Sequence, residues 1–455
     1  MNMKIILSAC MMCLLSSCGD TFLDVKPDKA LLVPETLSDI QALLDNNDQV
    51  INISPALTEI SADNFATTDA VYNGLRDLEK TTYTWSNQTV QVNTVSDWEI
   101  PFKQIFYANV ALEALARISS NSAAGGKVDV LKGAALFIRS HALYNLSQEF
   151  AAPYDPKTAS QLPGIPIRLT SDVNGRSGRG TIAETYLRMI DDLKEAVLLL
   201  PQVSSYKSRP ITAAAYALLS RIYLQMDDYE NAGSAANSAL LLNSKLIDYN
   251  TLDAAAARPF PIVLPNGNDE VIYYTRISAF SILLSTASAI DASLYNSYNN
   301  NDLRKTVFFM SRPGGIFTFK GNYTGSADMF GGIATDELYL TRAECYARKG
   351  NVPDAMKDLN ALLEKRWKKG TFLSLSAANS DDALKLILTE RRKELLFRGI
   401  RWTDLRRLNK DPKSAVTLSR KVNGEIFTLA PNERRYVLLI PQNEIAGSGI
   451  EQNPR

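Results

Sequence analysis

The stretch from Tyr216 to Ala232, YALLSRIYLQMDDYENA, returns as Tyr339 to Ala355, YLTRAECYARKGNVPDA, with two aromatic residues and the closing alanine at the same spacing. In each copy an apolar series then recurs at i, i+4, i+7 and i+8: Ala232, Ala236, Ala239 and Leu240 in the first, Ala355, Leu359, Leu362 and Leu363 in the second. That spacing gathers four side chains on one helix face, which has to be buried. Small alanines let a second helix come close, and a polar turn, Asp227-Asp228 or Gly350-Asn351, reverses the chain between the two helices. These are tetratricopeptide-like helix pairs, whose usual period is about 34 residues. The pattern therefore predicts a mainly α fold, a solenoid of stacked helix pairs.

A third pair reads as split, with one helix from Val128 to Phe150 and its partner from Ile182 to Leu200, ending before Pro201. A loop rich in proline and glycine, Ala151 to Gly180, lies between them, and Met189, Leu193 and Ala196 share a face of the partner. Further helices are expected from Pro34 to Asn46, Trp98 to Ile118 and Asp381 to Leu408. Residues 50–98 and 246–335 break this pattern. They are rich in Asn, Thr, Ser, Gly and Tyr, and Pro259, Pro261, Pro265 and Pro313 interrupt any long periodicity. Long irregular segments with few short strands, set into a helical scaffold, are where a ligand surface is expected.

The chain begins with a single cation, Lys4, and an apolar run from Ile5 to Leu15 that is too short to cross a hydrocarbon core of about 30 Å. It ends in Leu15-Ser16-Ser17-Cys18, which resembles a bacterial lipobox. That resemblance implies cleavage before Cys18 and acylation of its sulfur, an anchor in which each buried CH₂ contributes ~0.8 kcal/mol; the alternative is an ordinary signal peptide cut nearby. Residues 1–17 thus read as a signal segment and 18–455 as one domain, with its helical scaffold at about 99–245 and 336–410. Of the four cysteines, Cys10 and Cys13 fall in the signal and Cys18 at the lipid position. Cys345 remains, and it reads as a small buried apolar residue.

Lysine plus arginine equal aspartate plus glutamate at 49 each, which argues against a nucleic-acid or anionic-membrane partner, both of which need a basic surface. Catalytic signatures are scarce. One histidine, His141, cannot build a histidine metal cluster, and there is no G-x-S-x-G elbow, P-loop or dinucleotide fingerprint. Asn266 to Glu270 reads as a turn, because the spaced ligands of a calcium loop are missing. No cofactor or metal is expected.

The most distinctive stretch runs from Glu390 to Arg407, ERRKELLFRGIRWTDLRR. Glu390 and Glu394 would repel at i, i+4 unless bracketed by bases, and Arg391, Arg392, Arg398 and Arg401 are close in sequence. Gly399 is placed to end one helix so that Trp402 can start the next. A glycosidase-like carboxylate pair is the catalytic alternative. A structural ion-pair network is preferred, since a neighbouring base keeps an acid ionised.

CGDTFLDVKP at the start of the mature chain, Ala134 to Tyr144, the two helix pairs, Glu390 to Arg407, and the closing Leu439 to Glu444 with Gln452-Asn453 together resemble the SusD/RagB family of Bacteroidetes lipoproteins. Arg398 departs from that pattern, standing where an acidic residue commonly precedes the glycine. The resemblance implies a non-catalytic, cell-surface protein in the outer membrane, lipid-anchored at Cys18. It also implies a partner, a SusC-like TonB-dependent transporter, and a ligand that is an oligosaccharide or, in some members, a peptide. A helical glycoside hydrolase is the enzyme alternative. A sugar site needs flat aromatic faces for the C–H side of the ring and amides or guanidinium groups for the hydroxyls. Tyr83 and Trp85 in the first irregular segment, and Tyr295, Tyr298, Asn299, Arg304 and Tyr323 in the second, are the expected ligand residues.

Overall fold

The computed structural model describes residues 33–88, 95–118, 125–175 and 177–455; Cys18 and the segment before it lie outside them. The main helices are α1 (Leu37–Leu44), α2 (Ser96–Ile118), α3 (Gly125–Phe150), α4 (Ile182–Leu199), α5 (Thr212–Gln225), α6 (Tyr229–Leu242), α7 (Thr335–Arg348), α8 (Val352–Glu364), α9 (Ser380–Glu394) and α10 (Arg401–Leu408). From α2 to α8 each helix packs on the next, and α9 packs on α7. The order holds across residues 243–334, because α6 lies directly against α7. The irregular segment therefore leaves the stack and returns to it without interrupting the spine.

The repeat folds as its residues dictate. Asp227 and Gly350, at matching points of the two copies, take left-handed backbone angles (φ 59 and φ 83). The next residue caps the following helix: Asp228 accepts from the Asn231 amide, and Asn351 from the Asp354 amide. All eight apolar residues of the two stripes are buried, as are Met189, Leu193 and Ala196 of α4. At the crossing of α6 and α7, a side-chain carbon at Gly233 would come within 3.0 Å of the Cys345 Cβ. Cys345 is buried there without a disulfide partner, and burial pushes its thiol up to about 12. It is a packing residue.

The segment expected as one helical run from Asp381 to Leu408 is two helices. Phe397 (φ 55) and Gly399 (φ 69) take left-handed angles between them, so the chain turns where Gly399 was expected to end the first helix. Five two-stranded ladders supply the strands among the described residues. Three of them join segments remote in sequence: Ile53–Ser54 with Arg276–Ile277, Phe65–Ala66 with Ala289–Ile290, and Val271–Tyr273 with Ile333–Ala334 at the entry to α7. These ladders tie the two irregular segments to each other and to the spine.

The acids of the Glu390 to Arg407 stretch are paired: Glu394 with bases from elsewhere, Glu390 with one outside base and one of its own, and Asp404 with Arg391 and Arg407 of the stretch itself. Glu394 receives Arg304 (2.9 Å) and Arg366 (2.7 Å), and Glu390 receives Lys393 (2.8 Å) and Arg304. Arg366 continues to Glu270, and Arg304 forks onto Asp302. The nearby bases look outward from the acid pair: Arg392 and Arg401 to Asp63, Arg391 to Asp404, Arg398 to Asp336. Burial would raise the Asp63 carboxyl, but Arg401 and Arg392 hold it down at about 2.

Candidate functional site

The two irregular segments meet along a short ladder in which Phe65 opposes Ile290 and Ala66 opposes Ala289. Beside it the Thr67 hydroxyl donates to the Ala287 carbonyl at 2.7 Å, and the buried Glu79 carboxylate accepts the Ile282 amide at 3.0 Å. The strand at Ala289–Ile290 in turn lies against Ile316–Phe319, one arm of a hairpin whose other arm is Phe309–Arg312. This junction positions the surface expected to bind.

Five of the seven expected ligand residues lie inside the fold. Tyr83 accepts the Thr67 amide on its hydroxyl, and Arg420 stacks 3.8 Å from its ring centroid. Trp85 donates its indole N–H to the Ser61 carbonyl at 2.9 Å, with Arg420 over its ring. Tyr298 donates to the Lys393 carbonyl at 2.7 Å. Tyr323 shares a 2.7 Å hydrogen bond with the Tyr249 hydroxyl and donates to Glu270. Arg304 is the fully buried centre of the Asp302, Glu390 and Glu394 pairs. None of the five presents a ring face or an N–H group to solvent, so the expected role in ligand contact is corrected for them. Each loop uses its own large side chains as its core.

Tyr295 and Asn299 are different. Tyr295 is half-buried on the short helix Ala292–Asn296, and its ring lies nearly parallel to that of Phe317, with centroids 3.6 Å apart and 14° between planes. Lys305 Nζ stands 5.2 Å from the Tyr295 centroid and donates to the Asn300 side chain. Asn299, four residues after Tyr295 in sequence, is exposed, and its Oδ1 accepts the Asn301 amide at 2.9 Å. Sequence reasoning missed Phe317, which shares a strand face with the buried Phe319 in Ile316–Phe319 yet is itself only half-buried. Arg76, whose side chain is 67% exposed, lies over Phe280 and adds a second cation on the first irregular segment.

A groove of about 910 Å³ runs behind the same short helix, between Ser293 and Ser297 on one side and Lys385, Thr389 and Arg392 of α9 on the other. Its lining is hydroxyl-rich and charged, suited to hydrogen bonding with polar ligands. The two carboxyls that burial pushes up to about 7, Glu59 and Glu270, are fully inside the protein and face bound donors such as Asn64 and Arg366. Among the described residues no group of His, Cys, Asp and Glu could hold a metal ion. No described helix is long and apolar enough to cross a membrane.

The fold and this surface define a helical-repeat scaffold that presents an aromatic and amide-bearing face on inserted loops. Residues 21–224 match the family model described as "Starch-binding associating with outer membrane", and residues 292–455 match the model of the SusD family. The chain belongs to the SusD/RagB family. Solved structures agree in fold. A sugar-binding protein of Bacteroides vulgatus described as putative aligns over 93% of this chain and 99% of its own at 23% identity, with a TM-score of 0.74. A SusD superfamily protein of the same organism aligns over 92% and 99% at 20% identity (TM-score 0.76). Another from Bacteroides thetaiotaomicron aligns over 92% and 100% at 22% (TM-score 0.73). No curated protein matches the sequence significantly.

Proposed function

We propose that this chain is a non-catalytic capture protein for oligosaccharides, lipid-anchored through Cys18 at the outer surface of the outer membrane, which passes its ligand to a SusC-like TonB-dependent transporter. Family membership supports the anchor, the place and the partner. The observation that carries the ligand class is the half-buried Tyr295–Phe317 stack with Lys305 at the Tyr295 ring, and the exposed Asn299 four residues along the chain from Tyr295. A flat aromatic shelf covers the C–H face of a sugar ring, while an amide and an ammonium reach its hydroxyls.

The test is titration calorimetry of the full chain in detergent micelles against oligosaccharides and peptides, with each mixture then analysed for breakdown products. Replacing Tyr295 and Phe317 together by alanine is expected to weaken sugar binding about tenfold, or ~1.4 kcal/mol. Unchanged affinity would remove the shelf from the site, cleavage of the sugar would replace capture with hydrolysis, and binding of peptides alone would change the ligand class.

A further inference from the structure

A second cleft, of about 530 Å³, lies between α2, the loop residues 166–175 with Ser177, and the short C-terminal helix Gln442–Ser448. It shares no residue with the Tyr295 shelf. Its floor is aromatic. Trp98 packs edge-on against Phe150 (5.0 Å between centroids) and tilts against Phe102 (4.8 Å), while Phe106, one turn further along α2, is half-buried. Its rim is polar, carrying the exposed side chains of Lys103, Asn174 and Asn443. The half-buried Glu99, Arg168 and Glu444 complete the charges, two acids against two bases.

Each wall is fixed from behind. Asn109, buried on α2, donates to the carbonyls of Arg168 (3.0 Å) and Thr170 (3.1 Å) and accepts from Arg139. One turn on, Glu113 takes the Ser171 amide (2.7 Å) and hydroxyl (2.5 Å). On the other side Asn453 donates to the Phe150 and Leu438 carbonyls, and Gln452 exchanges two hydrogen bonds with the Ile440 backbone. Arg179 reaches the Glu451 carbonyl and the Asn453 side chain from the loop side. A cleft pinned in this way loses little entropy when it is filled.

We propose that this cleft is a second binding site for a neutral oligosaccharide, with Phe106 and Phe102 beneath the sugar rings and Asn174 and Asn443 on their hydroxyls. The size fits a ligand pocket, and the balanced rim charge selects an uncharged ligand over an acidic one. The ligand class is that of the function proposed above, but the site stands apart from the Tyr295 shelf. One long chain engaged at both sites would be held with the added avidity of a linked second contact.

The test uses the full chain in detergent micelles with its tryptophans replaced by 5-fluorotryptophan, titrated with neutral hexasaccharides of the malto, cello, xylo and manno series and, separately, with an apolar hexapeptide. The fluorine resonance of Trp98 is expected to shift with at least one sugar. The shift should persist when Tyr295 and Phe317 are both alanine, and need about fivefold more sugar in Phe106→Ala. Asn174→Ala, an exposed loop change that leaves the core untouched, should weaken the same response, with thermal melts reporting that each variant folds. A Trp98 signal that no sugar moves, one that vanishes with the Tyr295 and Phe317 replacements, or one that only the peptide moves would overturn the proposal. Calorimetric binding that fails at the shelf while Trp98 still responds would instead remove the shelf and leave the cleft.

Discussion

Tyr298 donates its hydroxyl to a backbone carbonyl while Arg304 and Lys393 lie against its ring, and that environment explains why single residues were hard to assign from sequence. An aromatic residue in a polar stretch looks like a ligand platform, but a loop without helices needs large rings to build a core of its own. The partners that decide the matter are remote: Arg420, which covers both Tyr83 and Trp85, is more than 300 residues away. Buried acids raise the same difficulty. Glu149 and Asp97 are both buried and face each other beneath the N-terminus of the short helix Leu57–Ser61, where Asp97 accepts the Ala56 and Leu57 amides and Glu149 the Thr58 amide. Burial, and then the Asp97 charge, raise the Glu149 carboxyl well above its ordinary 4.5, against a weaker pull from Arg406. A carboxyl raised in the folded state takes up a proton on folding, so its contribution is fully present below about pH 4.5 and is lost as pH climbs toward the raised value. Glu149→Gln keeps a donor toward Asp97 without the proton. Urea melts at pH 5, 6 and 7 should therefore show the variant gaining on the wild type as pH rises, by at most about 1.4 kcal/mol per pH unit, and a stability difference that does not change with pH would refute the raised Glu149 carboxyl.

Among the elements, the helix pairs were legible because their signal is local: an apolar stripe, a turn and a cap within a single repeat. The turns carry a direct check. Gly350→Ala places a side chain at φ 83 and should cost about 1–2 kcal/mol in thermal or urea unfolding. At the matching position, Asp227→Gly relieves a left-handed aspartate but gives up its contacts with Tyr229 and Lys410. The two effects oppose, so the change should lie within about 0.5 kcal/mol of neutral. A larger loss would show that the Lys410 contact matters more than the backbone strain. The strands were not legible for the opposite reason. Two-residue ladders such as Ile53–Ser54 with Arg276–Ile277 have no periodicity of their own, and their partners are chosen by how the spine folds.

At the scale of the whole molecule, one buried ionic network fastens the long insertion to α9, with Arg304 from the insertion and Arg366 from the end of the α8 region both gripping Glu394. Removing a single member leaves buried charges without partners. Arg304→Ala should cost about 3–5 kcal/mol, and limited proteolysis of the variant should cut first within residues 246–335 while the repeat helices persist. Cleavage that begins in α5 or α6 would show that the insertion and the spine unfold as one unit. The direct contact between α6 and α7 has a further consequence. Since the spine closes behind the insertion, the stretch between them is a cassette whose ends are held at fixed positions. Its length and lining can be rewritten to suit a new ligand without renegotiating the stack that carries it.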